Sequence, residues 1–451
     1  MYKFLVEIRS TTNLRFFSLL EDHIKRLNLQ TEFLYVAFYK EVHEELLKNR
    51  MNGVLLTNLI HKSSLYKKEL SNSEFEIWCG AERTFFGSSY NEKFKYTLES
   101  YIAAYSYIFN ELFMPDCILT WDWENMYRHG LSYIAEKLQI KMLFFERCCF
   151  PNTSIIDSQG VNINNSLRNF DFNQVDVDYN RLNDYLEQIR EQWSRSPASW
   201  SIEIIPKRPI SHILKKMLMI FKLSMGLQKY FLGLELSPYF RKTIFHYKLY
   251  IIWAKLTKDK MLKIELQKFQ ELKKRYNKII FIPLQGNFDL SLVRLLQNNI
   301  PKEIALIFKS HPATIGLLHP DVEKLVAADK RSLLLHMVSI YDLIKNSMCV
   351  VTRNSAVGLQ AMVYRKPVFV TGEAYWAPQE LRITEEDNIF GKIMSSVDQK
   401  NQILYDKILY KLIFQYLQPI DCLNPTEEQL RNSANKILNY IDNDVLDSVS
   451  P

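Results

Sequence analysis

Short apolar segments alternate with amphipathic helical segments in two separate parts of the chain. The first series begins with KFLVEI and TEFLYVAF on either side of the helical LRFFSLLEDHIKRL, and the second begins with KIIFIPL and ALIFKSHP. Such alternation is typical of parallel sheets, in which each strand is followed by a helix that crosses back over the sheet. The sequence therefore predicts an α/β protein with two Rossmann-like units.

The stretch between the two series has helical periodicity and no strand-like segment. Because 451 residues exceed what one hydrophobic core usually supports, more than one domain is expected. The predicted divisions are a Rossmann-like domain over 1–180, a helical connection over 181–277, a second Rossmann-like domain over 278–425, and a helix and tail over 426–451. Two such domains facing across a cleft form the architecture called GT-B.

Composition indicates an ordinary folded protein, with 47% apolar and 24% charged residues. The six cysteines show no C-x-x-C spacing, so we expect buried thiols in a reducing compartment and no zinc site. Asp122 and Glu124 are better interpreted as loop or cap residues than as metal ligands, so no metal site is predicted. No apolar run approaches the length of a membrane span and MYKFLVEIRS lacks a signal-peptide core, so we expect a cytosolic protein.

The positive charge is concentrated in residues 207–263, which contain 13 Lys or Arg against two acidic residues. Aromatic and aliphatic residues are interleaved with these lysines, as in helices that rest on anionic lipid. Core helices with a lysine-rich solvated face have the same composition, so both interpretations stay open. Nucleic-acid binding is not expected, because the segment has no recognition motif.

The segment FKSHP ends a predicted strand and brings Lys309, His311 and Pro312 to its carboxyl end. Lysine can neutralise a phosphate, and imidazole can donate a hydrogen bond to a phosphate or carboxylate oxygen. A histidine that caps local backbone would have the same sequence, and for an HP dipeptide alone that interpretation is favoured.

The segment TRNSAVGLQA is stronger evidence for an anion-binding site. Asn354 and Ser355 are suited to cap a helix beginning at Ala356, and the free N–H groups of a helix start suit an anion. Gly358, in the same segment, would let a ligand or another backbone approach closely, and Gly372 lies at the end of the next strand. An ordinary strand-to-helix turn explains Ser355 but not the polar residues at adjacent strand ends.

Two carboxylates are candidates for chemistry. Asp289 lies in QGNFD, which begins at Gln285, and could be a nucleophile, a base or a helix cap. Glu146 ends the predicted strand KMLFFE in the first half of the chain. Glycosyl transfer through an oxocarbenium-like state uses such a pair when both reach the same sugar.

Four segments together, ERCCFPNTSIIDSQGVN, PLQGNFD, KSHP and NSAVGLQAMVYRKPVFVTGEAYW, resemble bacterial capsule polysaccharide biosynthesis proteins, including the retaining β-Kdo transferases. The resemblance covers about residues 115–380 and the opening strand-helix unit. It implies a cytosolic GT-B glycosyltransferase at the inner membrane that needs no metal or bound cofactor. The implied donor is CMP-Kdo, and the implied acceptor is lipid-linked or another glycan.

The resemblance also implies roles for particular residues. Asp289 would be the nucleophile and Glu146 the acid or base. Gln360 stands where the family pattern usually has the glutamate of Gly-Leu-Glu-Ala, which makes the donor less certain. The implied donor-binding residues are Gln285, Lys309, His311, Pro312, Asn354, Ser355, Gly358, Gln360 and Gly372.

Other functions fit the same sequence. The donor could be CDP-glycerol or another CMP-linked acidic sugar such as sialic acid, since all of these release CMP. A non-catalytic capsule assembly protein that binds membrane and other capsule enzymes through its basic helices is a third alternative.

Overall fold

The computed structural model divides into two compact units, one of residues 1–166 with the C-terminal segment from Phe414, and one from Leu167 to Ile413. The structure describes residues 1–28, 30–60, 62–66, 68–78, 92–121, 126–195, 259–285, 289–311, 318, 320–396 and 400–443. Within these ranges, no helix combines the length and apolarity that crossing a bilayer requires.

The first unit is built on a six-stranded sheet of order β3-β2-β1-β4-β5-β6. Its strands are β1 (Tyr2–Ile8), β2 (Thr31–Ala37), β3 (Gly53–Leu55), β4 (Cys117–Trp121), β5 (Lys141–Arg147) and β6 (Ser154–Asp157). β1, β2, β4 and β5 are parallel, as predicted, and β3 pairs in parallel with β2, whereas β6 runs antiparallel to β5. The short strands β3 and β6 were not predicted.

Helices connect the parallel strands of the first unit. They are α1 (Thr11–Leu27), α2 (Lys40–Lys48), α3 (Leu56–Leu59), α4 (Asn72–Trp78), α5 (Glu92–Tyr107, continued by a π-helical turn Ile108–Leu112) and α6 (Met126–Lys137). Ser10 caps α1 by accepting a hydrogen bond from the Asn13 backbone N–H, at 3.1 Å. The apolar side of α1 then buries Phe16, Phe17 and Leu20 against the sheet.

The second unit contains a five-stranded sheet of order β11-β10-β7-β8-β9, parallel throughout. Its strands are β7 (Lys278–Pro283), β8 (Ile304–Lys309), β9 (Ser332–Leu335), β10 (Cys349–Thr352) and β11 (Val368–Val370). β8 is buried along its whole length, as expected for a strand covered on both faces. The predicted α/β class with two Rossmann-like units is therefore confirmed.

The helices of the second unit include the ends of the predicted helical connection. They are α7 (Tyr179–Arg195), α8 (259–275), α9 (Leu290–Asn299), α10 (Pro320–Ala328), α11 (Ile340–Asn346), α12 (Val357–Val363), α13 (Ile389–Ser396) and α14 (Lys400–Tyr410, continued by a π-helical turn Lys411–Tyr416). Most of the basic segment 207–263 lies outside the described residues, so its predicted contact with membrane stays a prediction.

The last helix, α15 (Glu427–Asn443), belongs to the first unit. Its Leu430, Ala434 and Ile437 are part of the same buried cluster as Phe16 and Leu20 of α1. The predicted division set residues 426–451 apart as a helix and tail, whereas α15 completes the N-terminal core. Sequence order could not show this, because the contact joins the two ends of the chain.

Candidate functional site

The carboxyl ends of β7 to β11 lie along one edge of the second sheet, because all five strands are parallel. The chain passes from β7 through β8 to β9 and then returns to the other side of β7 for β10, so its direction reverses between β7 and β10. In open α/β sheets, ligands bind at such a reversal, outside the carboxyl ends of the strands. The residues at these ends are Gln285, Lys309 to His311, His336, Arg353 to Ser355, and Gly372.

Gln285 and Asn354 join the two strands at the reversal. The side-chain Oε1 of Gln285 accepts a hydrogen bond from the backbone N–H of Asn354, at 3.2 Å. The ends of β7 and β10 are thus held together by a side chain that the sequence had placed among the donor-binding candidates. The structure brings this part of the predicted site together.

Asp289 lies immediately before α9 and is 1% exposed. Its Oδ2 accepts a hydrogen bond from the Gln285 backbone N–H at 2.8 Å, and Nη1 of Arg353 lies 3.9 Å from its Oδ1. A nucleophile must present an oxygen to the sugar, so this geometry favours a role in fixing the loop after β7. That Asp289 is the nucleophile stays a prediction.

Lys309 is 6% exposed, and its Nζ donates a hydrogen bond to the backbone oxygen of His336 at 2.5 Å. Burial lowers the pKa of this ammonium group to about 8, and the negative charge of Glu265 opposes part of that change. Lys309 therefore links the ends of β8 and β9 and places a positive charge beneath the edge of the sheet.

Glu265, on α8, holds the loop that follows β9. Its carboxylate accepts hydrogen bonds from the backbone N–H groups of His336, Met337 and Val338, at distances from 2.7 to 3.3 Å. His336 in turn shares a 2.7 Å hydrogen bond between its Nδ1 and Oγ of Ser310. Burial lowers the pKa of His336, so the ring is neutral at pH 7.

Glu265, Ser310 and His336 were not predicted. Glu265 lies 71 residues before His336 on a helix that carries no motif, so only the tertiary structure could join them. His336 directly follows the strand SLLL, and recognising that strand would have identified it as a strand-end residue.

His311 lies two residues beyond Lys309 and is exposed. The surrounding protein atoms lower its pKa by reducing its hydration, and the positive charge of Lys309 lowers it further. The imidazole is therefore neutral at pH 7, and a neutral imidazole can donate one hydrogen bond and accept another. Pro312, the next predicted site residue, lies outside the described residues.

Asn354 and Ser355 lead into α12, which begins at Val357, with Ala356 at the N-cap position. Oγ of Ser355 accepts a hydrogen bond from the Val357 backbone N–H, at 3.3 Å. The predicted capping by Ser355 is therefore present as a local contact, and the helix begins one residue later than predicted.

The two glycines have packing roles. A Cβ on Gly358 would lie 2.2 Å from the indole of the buried Trp376. A Cβ on Gly372 would lie 2.9 Å from Cγ of Arg353. The close approach that the sequence indicated at Gly358 is real, and at both glycines protein side chains occupy the space.

Gln360 is buried inside a cluster of aromatic residues. Its Nε2 donates to the hydroxyl of Tyr341 at 3.4 Å, and the Tyr341 ring stacks on Trp193 with centroids 5.0 Å apart. With 6% exposure, Gln360 is not displayed at the edge of the sheet. This placement gives no support to the predicted role of Gln360 in donor binding.

Glu146 lies in the first unit, near the end of β5 and opposite Ile155 of β6, and is partly exposed.

The cysteines are only partly as predicted. Cys148 and Cys149 are partly exposed, contrary to the prediction of buried thiols, whereas Cys117, Cys349 and Cys422 are buried. Asp122 and Glu124 lie outside the described residues. In the part of the chain that is described, no group of three His, Cys, Asp or Glu side chains is arranged to hold a metal ion.

Residues 218–416 match the model of a family described as capsule polysaccharide biosynthesis protein. The match covers less than half of the chain, and over that range it agrees with the predicted resemblance to capsule biosynthesis proteins. The matched range contains β7 to β11 and every strand-end residue of the site. No curated protein matches the sequence.

Several solved structures match the chain at low sequence identity. A KpsC β-Kdo 2,7 transferase from Thermosulfurimonas dismutans is 13% identical, with 96% of this chain and 99% of that chain covered and a TM-score of 0.33. A glycosyltransferase from Rickettsia africae is 10% identical, with coverages of 98% and 99% and a TM-score of 0.35. The UDP complex of MnaA from S. aureus is 11% identical, with coverages of 100% and 99% and a TM-score of 0.31. These scores are too low to transfer a residue role or an activity.

Proposed function

We propose that the chain is a glycosyltransferase of capsule or related surface-polysaccharide synthesis that uses CMP-Kdo as its donor and needs no metal. The observation that supports this proposal most is the polar carboxyl edge of the second sheet. It coincides with the reversal of strand order between β7 and β10 and lies within the segment that matches the capsule biosynthesis family.

In this proposal the donor phosphate binds near His311, next to the buried positive charge of Lys309. As the bond to the sugar breaks, negative charge increases on the departing CMP. The neutral imidazole can donate a hydrogen bond to a phosphate oxygen, and the Lys309 ammonium lowers the energy of that charge without leaving its hydrogen bond to His336. The hydrogen bond between Gln285 and Asn354 keeps the neighbouring strand ends in place.

Retention of configuration would require a nucleophile, and Asp289 and Glu146 remain the proposed catalytic carboxylates. The Asp289→Asn variant separates the two roles considered for Asp289. An asparagine Oδ1 can still accept the hydrogen bond from Gln285, so a positioning role predicts a loss of turnover of about tenfold or less. Loss of a nucleophile predicts a fall of about a thousandfold or more.

The test is release of CMP by the purified 451-residue chain. CMP-Kdo, CMP-sialic acid and CDP-glycerol are supplied separately, each with and without a chelator. We expect release from CMP-Kdo in both conditions and a fall of at least about tenfold in His311→Ala. His43→Ala, a partly exposed histidine on α2, is the matched control.

The other outcomes identify the alternatives. Release from CDP-glycerol alone would replace the proposed donor, and release from CMP-sialic acid alone would keep the class but change the sugar. No release from any donor, together with sedimentation on anionic vesicles, would favour a non-catalytic assembly protein. We also propose that residues 207–263 bind an anionic membrane surface, where a lipid-linked or other glycan acceptor and further capsule enzymes would be encountered.

A further inference from the structure

His336, at the end of β9, is held by three other residues of the second unit. Its Nδ1 shares a 2.7 Å hydrogen bond with Oγ of Ser310, which directly follows β8. Its backbone oxygen accepts a 2.5 Å hydrogen bond from Nζ of Lys309, and its backbone N–H donates to the carboxylate of Glu265 at 3.0 Å. Because both the ring and the backbone are held, the second ring nitrogen, Nε2, has a defined position.

The burial of Ser310 determines which ring nitrogen of His336 carries the proton. Ser310 is 1% exposed, and within the described ranges its hydroxyl group has no hydrogen-bond partner other than Nδ1 of His336. A buried O–H group that donates to nothing is unfavourable, so the hydroxyl donates and Nδ1 accepts. A neutral imidazole whose Nδ1 accepts carries its proton on Nε2. Burial lowers the pKa of His336, so the ring has this Nε2–H form at pH 7.

The Nε2–H group of His336 is available to a ligand. Among the residues that the structure describes, none pairs with Nε2, and His336 is partly exposed. Lys309 and Leu335 are partners in the register of β8 and β9, so the two strand ends lie one strand spacing apart, about 5 Å. His336 and His311 therefore lie at neighbouring strand ends on the same edge of the sheet.

An anion is the acceptor that fits this N–H group best. The Lys309 ammonium group, bonded to the backbone oxygen of the same histidine, is positively charged at pH 7. The carboxylate of Glu265 opposes that charge but is bound by the backbone N–H groups of the loop after β9. Hydrogen bonds to a charged acceptor are stronger than those to a hydroxyl group. A phosphate oxygen therefore suits this position better than a sugar hydroxyl.

We propose that His336 binds the donor phosphate by donating a hydrogen bond from Nε2, and that Ser310 is a positioning residue that fixes the ring in the tautomer this requires. This role rests on the proposed function, in which the donor phosphate binds near His311. The phosphate of a CMP-linked sugar has two non-bridging oxygens. It can therefore accept one hydrogen bond from each of two imidazoles at neighbouring strand ends.

Two substitutions of His336 separate the functions of its ring nitrogens. The amide oxygen of asparagine can replace Nδ1 as the acceptor for Ser310, but asparagine is too short to reach the position of Nε2. The longer glutamine can place an N–H group near that position. We expect His336→Asn to weaken CMP binding about tenfold without changing cytidine binding, and His336→Gln to recover part of the loss. Calorimetry measures both Kd values, and His43→Asn, on α2, is the control that is expected to change neither.

The role of Ser310 is tested by a double-mutant cycle and by NMR. Ser310→Ala removes the hydroxyl group that fixes the tautomer, so it is expected to weaken CMP binding about threefold in the wild-type background and not further in His336→Asn. The imidazole nitrogen chemical shifts, assigned by comparison with His336→Asn, are expected to place the His336 proton on Nε2 in wild type. In Ser310→Ala they are expected to show a mixture of tautomers.

Several results would overturn the proposed role of His336. A proton on Nδ1 in wild type would contradict the tautomer assignment. Unchanged CMP binding in His336→Asn, or no CMP binding by wild type, would remove His336 from the phosphate site, and equal weakening of CMP and cytidine would place the ring against the nucleoside. If wild type binds CMP but releases none from any CMP-linked sugar, the proposed function fails, and the comparison of CMP with cytidine still decides whether His336 binds phosphate.

Discussion

Replacing Lys309 by methionine is expected to stabilise the protein at neutral pH while weakening donor binding. Burial lowers the pKa of Lys309 from 10.5 to about 8. One pKa unit corresponds to about 1.4 kcal/mol, so keeping this ammonium charged inside the folded protein costs about 3 kcal/mol. Methionine removes that cost and also the hydrogen bond to the His336 carbonyl, which contributes about 1.5 to 2 kcal/mol. The expected net gain in the free energy of unfolding is about 1 kcal/mol at pH 7.

The pH dependence gives the sharper test. Between about pH 8 and the ordinary lysine value, the unfolded chain keeps the proton that the folded chain has released. Stability therefore rises with pH in this window, by about 3 kcal/mol in total, because the unfolded state binds more protons. Below about pH 8 the full cost of burying the charge is present. The Lys309→Met variant is expected to lack this rise.

The assay is urea denaturation of wild type, Lys309→Met and the control Lys324→Met at intervals from pH 7 to 10. Lys324 is 78% exposed on α10, so its replacement is expected to change stability by less than about 0.5 kcal/mol. The reasoning about Lys309 would be refuted if wild type and Lys309→Met showed parallel stability curves across this range. KM for CMP-Kdo, measured in parallel, is expected to rise above about pH 8 in wild type, because Lys309 then loses its positive charge. In Lys309→Met it is expected not to change with pH.

Two further substitutions test the packing around the site. Gly358→Ala places a methyl group 2.2 Å from the buried indole of Trp376 and is expected to destabilise the protein by about 3 kcal/mol in urea denaturation. In the control Gly391→Ala, the nearest atoms to the new methyl group belong to an exposed asparagine side chain, so the loss of stability is expected to be far smaller. Equal losses in the two variants would contradict the packing argument. Gln360→Glu introduces the carboxylate that the family pattern usually has, at a position that is 6% exposed. Burial is expected to raise the pKa of the new carboxyl group. The free energy of unfolding relative to wild type is therefore expected to fall by about 2 kcal/mol or more as the pH rises from about 5 to 8. Unchanged stability together with tighter CMP binding would show that position 360 reaches the nucleotide.

The local sequence predicted the strands well where they were long and buried. KFLVEI, KIIFIP and ALIFK became central strands because continuous apolar runs bounded by polar loops have few other stable conformations in a folded protein. It was less informative for short strands, and it did not show that α15 packs against α1. Local periodicity reports which face of an element is buried, but not which distant element covers it.

In the candidate site, too, the sequence predicted local features but not contacts between distant elements. The sequence identified Gln285, Lys309 and Asn354 as residues at strand ends, because strand ends and their loops are encoded locally. It did not indicate that Gln360 would be buried against Tyr341, or that Trp376 would fill the space over Gly358. Those outcomes depend on contacts between elements.

The order of apolar and polar residues determined by itself that this chain forms two α/β sheets of mostly parallel strands, because each buried segment can pair its backbone groups only with a neighbouring strand. The tertiary structure alone decided which charged groups are buried and what surrounds them. Glu265 comes from a separate helix to bind the loop after β9, and Arg168 comes from outside the sheet to share Glu373 with Arg382. The physical reason is that charge interactions, hydration and hydrogen bonding depend on distances in space. For these residues, the separation along the chain does not predict those distances.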